Sequence, residues 1–464
     1  MCPVKDYRSY SYWLETCGDD LAPRAPLDGS REVDVAIMGA GFTGLWTAYH
    51  LLKREPGLSV AVVESEIAGF GASGRNGGWC YAGFAVGPGE MTRLHGEDAA
   101  RATALAMIGA VDDVERTCAE EGIDADQVRG GAVEFARAPY QLPKVRGMAE
   151  EYAAIGLADR VPLLGPSEAL THLRVPGVLG AVWTKDGLTV QPAKLVRGLA
   201  RAVEQRGGAV YEQTRVTDYE GGERPVLKTD RGDLRARRAI VLAGEAYMAR
   251  LDKLRRHVIP VTSNIVLTEP LPGEVWDQIG WEGRETIGGF GPTGAYIQRT
   301  ADDRIAFGPY RGRYPFNSRI TDALDLDEGV FAHARRSARI WFPFLDQYRF
   351  THAWGGVLGV PRDHMPTMGF NPRTKVALSY GYTGEGVAAA NLGGRVLTDL
   401  ITGTESELTR LPMASHKPVP WEPEPLRWTG VTYVRKSHVK LDEQAERTGS
   451  YPKRKTLAQR LFDR

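Results

Sequence analysis

The clearest pattern of hydrophobic and polar positions lies near the start of the chain. The run "VDVAIM" (Val33 to Met38) is apolar and rich in β-branched residues, which predicts a short strand. From Gly41 the apolar positions recur at helical spacing until Pro56 and Gly57, and "SVAVVES" then predicts a second strand. The pattern therefore predicts a unit of strand, turn, helix and strand.

The remainder of the chain alternates between helical and strand-like patterns. Strands dominate from residue 258 to 350, and residues 174 to 244 mix both types, with a hairpin turning at Arg231 and Gly232. In the tail, "TYVRKSHVKLDEQAERTG" predicts one helix packed on the surface, and the basic end "YPKRKTLAQRLFDR" favours a solvated terminus over a partner-binding arm. Helical spacing predicts further helices over residues 92–121, 140–157, 326–341 and 386–401.

Two stretches share the spelling Gly-x-Gly-x-x-Gly: "GAGFTG" (39–44) and "GFGPTG" (289–294). Only the first lies between a predicted strand and a predicted helix, and Glu64 follows about 20 residues later at the end of the second strand, where a ribose-binding acid is expected. There, Gly39 allows a tight turn, Gly41 admits a pyrophosphate, and Gly44 allows close packing of the helix on the strand. Around the second copy "GWEGRET" does not resemble a buried strand and "AYIQRT" is strand-like, which predicts a turn.

Composition and charge limit the possible partners. A chain of 464 residues has room for two or three domains at roughly 150 residues each. Lys plus Arg and Asp plus Glu number 58 each, which favours a small molecule over nucleic acid or an anionic membrane. The four cysteines lack CxxC spacing, so we expect no metal site and no disulfide scaffold. Without a signal-peptide pattern or an apolar run of about 18 residues, we expect a cytoplasmic protein with no membrane span.

After the second strand comes a stretch rich in Gly, Ser and Asn, "SEIAGFGASGRNGGWCYAGF" (Ser65 to Phe84), in which we expect no regular element. Its segment "GFGASGRNGG", together with "GGAVEFARAP", "AIVLAGEAY", "AWGGVLGVPRDHMPTMGF" and "VALSYGYTGEGV", resembles the flavin-dependent amine and D-amino acid oxidase (DAO) family, in the branch similar to γ-glutamylputrescine oxidase. The resemblance covers about residues 30 to 412.

The resemblance implies a mixed α/β fold in which a Rossmann-type FAD-binding domain is interleaved with an α+β substrate domain built on a largely antiparallel sheet. The expected FAD-binding segments are 1–90, 158–244 and 352–412, the substrate-binding segments are 91–157 and 245–351, and 413–464 is a partly helical tail. We expect noncovalent FAD. A covalent bond to the flavin would need a well-placed Cys or His, and only Cys80 lies in a flavin-side loop. The oligomeric state is not specified.

The resemblance also implies the residues that hold FAD. The strand containing Val216 passes the adenine in relatives, and the turn from Gly381 to Gly386 lies beside the isoalloxazine ring. The expected cofactor-binding residues are Gly39, Gly41, Phe42, Thr43, Gly44, Glu64, Ser65, Gly71, Ala72, Ser73, Gly74, Arg75, Asn76, Gly77, Gly78, Val216, Ala243, Gly244, Gly384, Gly386 and Val387.

Three residues near the expected ring are catalytic candidates: Glu385, His364 and Tyr382. Glu385 stands where relatives usually have His, and a carboxylate there can hold a substrate ammonium or tune its loss of a proton. The alternative is that Glu385 only caps the following helix, where acids are favourable in any case. For His364 the alternative is a structural role in a glycine-rich loop.

Six further residues are candidates for binding the substrate. Arg362 and Arg299 are candidates for pairing with an anionic group, as are Arg311 and Arg313, and surface exposure is the alternative for each. Trp354 and Tyr296 are candidates for the wall of an apolar channel, with core packing as the alternative.

These observations predict an FAD-dependent oxidoreductase. In the predicted reaction a C–N bond of a primary or secondary amine, or of an amino acid, is oxidised to an imine by hydride transfer to flavin N5, and the imine is hydrolysed to a carbonyl. Electrons pass to O2, giving H2O2. The alternatives are a dehydrogenase with another electron acceptor, a flavin hydroxylase and a non-catalytic dinucleotide-binding protein.

Overall fold

The structure is a computed structural model, and it describes residues 5–291, 294–321, 324, 326–451 and 456–458. Two large sheets organise these residues, each of eight described strands, and a small third sheet joins Trp79–Tyr81, Gly187–Thr189 and Val128–Arg129. The helices are Tyr12–Thr16, Phe42–Arg54, Pro88–His95, Glu97–Glu120, Leu142–Ala154, Pro166–His172, Pro192–Gln205, Gly273–Ile279, Glu328–Trp341, Gly386–Thr402 and Leu426–Thr448.

The first sheet contains the predicted strand, turn, helix and strand. Arg31–Met38 pairs in parallel with Val60–Val63 on one side and with Gly232–Leu242 on the other. Val376–Tyr380 also pairs in parallel with Gly232–Leu242, so the carboxyl ends of these strands meet at one edge. The remaining strands of this sheet are Ala209–Tyr211, Val216–Glu220, Val226–Thr229 and Thr367–Asn371.

Two helices pack closely against this sheet and each other because small residues lie at their contacts. A Cβ at Gly44 would lie 1.9 Å from the carbonyl oxygen of Gly39, and one at Gly394 would lie 2.7 Å from Cβ of Trp46. Helix Phe42–Arg54 therefore lies against both the sheet and helix Gly386–Thr402, and its buried side chains join the largest apolar core.

The second sheet is mostly antiparallel. Its strands, in spatial order, are Phe350–Val360, Ile259–Thr268, Ile305–Pro309, Ala295–Arg299, Thr286–Gly289, Ala132–Ala136, Gly180–Thr184 and Leu163–Leu164. Helix Glu328–Trp341 covers one face, where a separate core contains Phe135, Trp281, Phe307 and Trp341. The mixed α/β fold predicted from the sequence is confirmed.

Two segments of the predicted FAD-binding domain contribute strands to the second sheet. Segments 158–244 and 352–412 were assigned to the FAD-binding domain, yet Gly180–Thr184 pairs with Ala132–Ala136 and Phe350–Val360 pairs with Ile259–Thr268 in the second sheet. Backbone hydrogen bonds with non-adjacent strands decide this membership, and a local pattern does not reveal them.

Two local expectations also change. The stretch from 65 to 84 contains a short 3-10 helix, Ala72–Gly74, and the strand Trp79–Tyr81. Gly289 ends a buried strand, Thr286–Gly289, which the sequence did not indicate, and the strand Ala295–Arg299 pairs back against it. Because a strand follows this second glycine motif instead of a helix, it lacks the helix N-terminus that binds phosphate. Pro292 and Thr293 lie outside the described residues.

Candidate active site

One large cavity, of about 1070 Å³, lies at the carboxyl ends of the parallel strands. Both large sheets contribute to its wall, and so do the glycine-rich stretch after the second strand and the C-terminal helix. Its volume exceeds the usual range for sites of small ligands, as expected for a cavity that takes a dinucleotide and a substrate.

The first glycine motif forms one end of this cavity. Gly39 has φ of +98°, and a Cβ there would lie 2.7 Å from the carbonyl oxygen of Ala243. At Gly41 a Cβ would meet the Ser73 hydroxyl at 2.9 Å, and the same hydroxyl accepts the backbone N–H of Phe42 at 2.9 Å. The turn thus brings the helix N-terminus to the cavity wall, an arrangement that suits a pyrophosphate.

Glu64 lies at the end of the second strand, in the same wall. Its carboxylate accepts backbone N–H groups of Ala40 and Glu66, each at 3.0 Å, and the Ser65 hydroxyl at 3.1 Å. Burial raises its pKa, and these hydrogen bonds oppose that shift. The acid is held in a fixed position, and Val216 on a neighbouring segment lines the cavity beside it.

The glycine-rich stretch is held in shape by its own side chains. Asn76 donates to the carbonyl oxygens of Ala72 and Ser73, both at 3.1 Å, and accepts the N–H of Gly78 at 2.8 Å. The guanidinium of Arg75 lies over the ring of Phe70 at 4.3 Å. Most predicted cofactor residues line the cavity: Gly39, Gly41, Phe42, Thr43, Glu64, Ser65, Gly71, Ala72, Ser73, Arg75, Asn76, Gly77, Val216, Ala243, Gly244, Gly384, Gly386 and Val387.

Three predicted cofactor residues lie behind this wall. Gly44 permits the close contact of helix and strand, as its position in the motif predicts. Gly74 and Gly78 face other backbone, since a Cβ would lie 2.3 Å from the Gly69 carbonyl oxygen in one case and 2.2 Å from that of Val190 in the other. These two glycines allow the loop to pack. The resemblance alone did not distinguish this role from contact with the ligand.

The turn from Gly381 to Gly386 closes the opposite side of the cavity. The Tyr382 hydroxyl lies 2.8 Å from that of Ser379 and 2.9 Å from that of Thr43. These bonds use the hydroxyl to join the turn to helix Phe42–Arg54, so only the ring of Tyr382 is available to a ligand. The predicted catalytic role of Tyr382 stays a prediction, and these contacts fix the position of its hydroxyl.

Glu245 supports the same turn and was missed by the sequence analysis. Its carboxylate accepts the N–H of Gly381 at 2.7 Å and that of Gly359 at 3.0 Å, and burial raises its pKa to about 7. The available signal was an acid directly after the buried strand in "AIVLAGEAY".

Glu385 precedes helix Gly386–Thr402 but makes no side-chain capping hydrogen bond, which removes the capping alternative. It lines the cavity, and burial raises its pKa to about 7, although the Tyr81 hydroxyl nearby favours the charged form. A second acid, Glu134, is influenced by the charge of Glu385. Burial of Glu134 and the negative charge of Glu385 raise the pKa of Glu134 to about 7.

Glu134 was not predicted, although it is the one acid in the otherwise apolar strand "AVEFA". Its side chain lies beside Trp79, since a Cβ at Gly288 would meet Glu134 Cγ at 2.9 Å and the Trp79 ring at 3.1 Å. The Glu134 carboxylate has no hydrogen bond or ion pair within the part of the chain that the structure describes. Glu134, Glu385 and the rings of Trp79, Tyr81 and Tyr310 form what we call the acid cluster.

The remaining candidates divide between the cavity and the core. Tyr296 lines the cavity, and its hydroxyl lies 2.6 Å from that of Ser263. Arg362 lines it too, paired with Glu422 at 3.1 Å. His364 is also in the wall, and burial lowers its pKa.

Arg299 and Trp354 are not in the cavity wall. The Arg299 guanidinium donates to Asp303 at 2.6 Å and to the carbonyl oxygen of Trp281 at 2.7 Å, so the fold satisfies it. The Trp354 indole donates to the carbonyl oxygen of Arg75 at 3.0 Å and is buried. Arg313 pairs with Asp327, outside the wall. Strand position in the sequence did not reveal these partners.

The tail contributes more than a surface helix. Helix Leu426–Thr448 begins before the predicted segment and lines the cavity with Leu426, Arg427, Gly430, Val431, Val434 and Arg435. Much of the basic end lies outside the described residues, which include Tyr451 and 456–458. No helix among the described residues is long and apolar enough to span a bilayer.

Comparisons with known proteins agree with this architecture. The chain is 28% identical over 414 residues to gamma-glutamylputrescine oxidoreductase of Escherichia coli, which covers 88% of this chain and 93% of that protein. It is 30% identical over 411 residues to a probable oxidoreductase OrdL of Rhizobium meliloti, covering 86% and 90%. The solved structure of glycine oxidase from Geobacillus kaustophilus matches with a TM-score of 0.68 at 22% identity, covering 84% of this chain and 99% of that one.

A family model gives the assignment. The model described as FAD dependent oxidoreductase (DAO) matches residues 34–400, which include both glycine-rich segments of the cavity wall and the turn at Gly381 to Gly386. Together with the strand, turn and helix around Gly39 and Gly41, this match confirms the resemblance noted in the sequence. The chain belongs to the DAO family of FAD-dependent oxidoreductases.

Proposed function

We propose that this protein oxidises a C–N bond of a small primary or secondary amine, or of an amino acid, to an imine that water then hydrolyses to a carbonyl compound. One observation carries the proposal. The cavity runs from a dinucleotide-binding motif to Glu385, which acts with Glu134 among aromatic rings. Carboxylates and aromatic faces together favour a cationic group such as an ammonium.

The names of similar proteins support the same substrate class. Gamma-glutamylputrescine oxidoreductase and glycine oxidase are named for compounds that contain amine nitrogen. Neither name identifies the amine that this chain oxidises. The acid cluster, which we propose to contact the amine, consists of side chains of this chain.

The wall of the cavity fits FAD. The Gly39 to Phe42 turn suits the pyrophosphate, Glu64 suits a ribose hydroxyl, and Val216 lies where a strand passes the adenine. The indole N–H of Trp79 is buried in this wall without a hydrogen-bond partner among the described residues, so it is a free donor for a ligand.

We infer that FAD is bound noncovalently. Cys80 is fully buried in strand Trp79–Tyr81, outside the cavity wall, and burial raises the pKa of its thiol. A buried, protonated thiol that faces away from the ligand is not placed to form a bond with it.

The chemistry divides between cofactor and protein. When bound, FAD accepts the two electrons and the hydrogen lost from the carbon beside the amine nitrogen. Glu385 holds the substrate ammonium and receives its proton, so that the nitrogen lone pair is free as the C–H bond breaks. Glu134 adds negative charge behind Glu385, and Tyr81 orients the Glu385 carboxylate through its hydroxyl.

Water then adds to the imine and releases a carbonyl compound and an amine or ammonia. We propose O2 as the electron acceptor, which takes the two electrons with two protons and leaves as H2O2. A dehydrogenase with a different acceptor would share every preceding step, so the acceptor requires its own measurement.

The test begins with the purified protein. We expect the yellow absorbance of a flavin that is released by denaturation, and anaerobic addition of a panel of primary and secondary amines bleaches it. Admitting O2 then restores the colour with one H2O2 per amine oxidised. A protein that stays colourless after addition of FAD contradicts the proposal, and so does a flavin that no amine bleaches.

A matched pair of variants places the chemistry at the acid cluster. Glu385→Gln retains the flavin and slows bleaching by about 100-fold, the usual size of general acid–base effects. Glu405→Gln, a change of the same charge at an exposed position, bleaches like the wild type. Equal rates in the two variants would exclude Glu385 from the reaction.

A further inference from the structure

The C-terminal helix Leu426–Thr448 supplies one wall of the cavity although it follows the segment that matches the family model. Its contribution is mostly apolar or small, through Gly430, Val431 and Val434, with Arg435 as the next residue of the wall. This part of the site therefore belongs to the chain's own tail.

Four arginines line this part of the cavity, and three of them have a carboxylate partner. Arg311 pairs with Glu443 at 3.7 Å, Arg362 with Glu422 at 3.1 Å, and Arg427 with Glu424 at 3.1 Å. In the described part of the chain Arg435 has neither an ion pair nor a hydrogen bond.

The surroundings of Arg435 make this isolation costly. Its Nη2 lies 3.2 Å from the place where a Cβ of Gly312 would stand, so the guanidinium packs against bare backbone. Burial alone lowers the pKa of Arg435 to about 10, with no carboxylate opposing the shift. A partly buried cation without a partner is unfavourable unless a ligand supplies the opposite charge.

We propose that Arg435 binds a carboxylate of the amine substrate, at the end of the molecule remote from the nitrogen that reacts. This inference rests on the proposed function, because it takes the substrate amine to lie at the acid cluster. The planar guanidinium suits a carboxylate through two parallel hydrogen bonds, and the valines beside it exclude water.

The two charged parts of the cavity are separate. The charges of Glu134 and Glu385 both act on Tyr310, whereas neither acts on Arg435. The cavity thus has negative charge at the acid cluster and positive charge at Arg435, and the two charges do not neutralise each other. A substrate with an ammonium at one end and a carboxylate at the other complements both.

Matched substrates test this arrangement in the FAD-bound enzyme. Linear ω-amino carboxylates of four to eight carbons are compared with the corresponding ω-amino amides, and kcat/KM is measured from anaerobic bleaching of the flavin. We expect at least one carboxylate to exceed its amide by about 10-fold or more, as for a charge-assisted bidentate pair. Equal kcat/KM for acid and amide at every length would overturn the proposal.

Variants assign the preference to Arg435. Arg435→Gln lowers the ratio of kcat/KM for the carboxylate to kcat/KM for the amide to about 1, and Arg435→Lys retains part of the preference. Lys436→Gln, the loss of one positive charge at the exposed neighbouring position, behaves like the wild type. A loss of FAD affinity in Arg435→Gln that matches its loss of kcat/KM would instead assign Arg435 to the cofactor and contradict the proposal.

A binding measurement separates this proposal from the proposed reaction. Calorimetric titration of the FAD-bound protein with hexanoate and with hexanamide needs no turnover. We expect hexanoate to bind about 10-fold more tightly to the wild type, and equally to hexanamide in Arg435→Gln. If no amine bleaches the flavin but this difference is found, the reaction is wrong and the carboxylate site stands. If amines react and the difference is missing, the carboxylate site is wrong.

Discussion

Four carboxylates that line or adjoin the cavity differ in how the chain satisfies them. Glu64 and Glu245 each accept two backbone N–H groups, which fixes their positions. Among the described residues the carboxylates of Glu385 and Glu134 have no hydrogen-bond donor, although the Tyr81 hydroxyl lies near that of Glu385. The first two acids therefore shape the site, and the second two retain the capacity to bind a cation.

This difference predicts how activity depends on pH. Because burial raises the pKa of Glu385 to about 7, the carboxylate that receives the ammonium proton forms only as the pH rises through this value. We expect kcat/KM for an amine to increase between about pH 6 and 8, measured by anaerobic bleaching. The increase is lost in Glu385→Gln and unchanged in Glu405→Gln. A profile that keeps its midpoint in Glu385→Gln would assign the titration to another group.

A second prediction concerns Glu245. Removing its carboxylate in Glu245→Ala leaves the N–H groups of Gly381 and Gly359 without their acceptor, which loosens the turn that carries Glu385. We expect bleaching to slow by about 10-fold while the pKa in the kcat/KM profile stays near that of the wild type. A displaced pKa would mean that Glu245 itself titrates in the reaction.

At the scale of residues, the sequence located the cofactor end better than the substrate end. Glu64 and Gly41 follow from spacing, because a motif fixes both residue type and position. Glu134 was missed because it lies in an apolar strand, where the pattern does not show which face meets the cavity, and Glu245 because it follows such a strand in a short 3-10 helix. The sequence did not show that Arg299 lies outside the cavity wall, because its partners Asp303 and Trp281 approach it only in the folded chain.

At the scale of elements, the N-terminal turn has the strongest physical support. A Cβ at Gly41 would enter the space of the Ser73 hydroxyl at 2.9 Å, where the backbone approaches the expected pyrophosphate. We expect Gly41→Ala to weaken FAD binding by about 10-fold, equivalent to about 1.4 kcal/mol, measured by titration of the apoprotein with FAD.

Gly57→Ala is the control for this change. Gly57 follows the same helix, and a Cβ there would have no neighbour within 4 Å. FAD binds the control like the wild type. Equal weakening in both variants would show that the loss arises from the helix and its stability, and would contradict the assignment of the turn to FAD.

The sequence predicted the type of element correctly where the pattern was long. It failed where pairing between strands determines the structure. Helix Gly386–Thr402 was predicted within one residue, and strand Ile259–Thr268 lies in the range 258–350 where strands were predicted to dominate. The buried strand Thr286–Gly289 was missed because its residues, "TIGG", have little side chain to form a pattern, and pairing with Ala132–Ala136 creates the strand.

At the scale of the whole molecule, the site exists only where distant segments meet. Strand ends near Gly39, the turn at Gly384 and the tail at Arg435 enclose one cavity, although about 400 residues separate the first from the last. Local patterns cannot report such contacts, so the role of the tail helix emerged only from the fold. The match to the family model ends at residue 400, before the tail helix begins.

The acid cluster also affects the stability of the whole apoprotein. Burial and Glu385 raise the pKa of Glu134 from 4.5 to about 7, so the folded state holds this proton more tightly than the unfolded state. The stabilising contribution of the proton is complete below about pH 4.5 and is lost as the pH rises through about 7. Glu134→Gln keeps the shape of the side chain without the charge.

We therefore expect Glu134→Gln to increase the free energy of unfolding of the apoprotein by about 1 to 2 kcal/mol at pH 8, and to leave it unchanged near pH 4.5. Urea denaturation at the two pH values measures this, with Glu405→Gln as the control that changes neither. Destabilisation at both pH values would mean that the Glu134 carboxylate makes a favourable contact in the folded state. That result would remove its negative charge from those available to a substrate cation, because the charge would already be compensated by the protein.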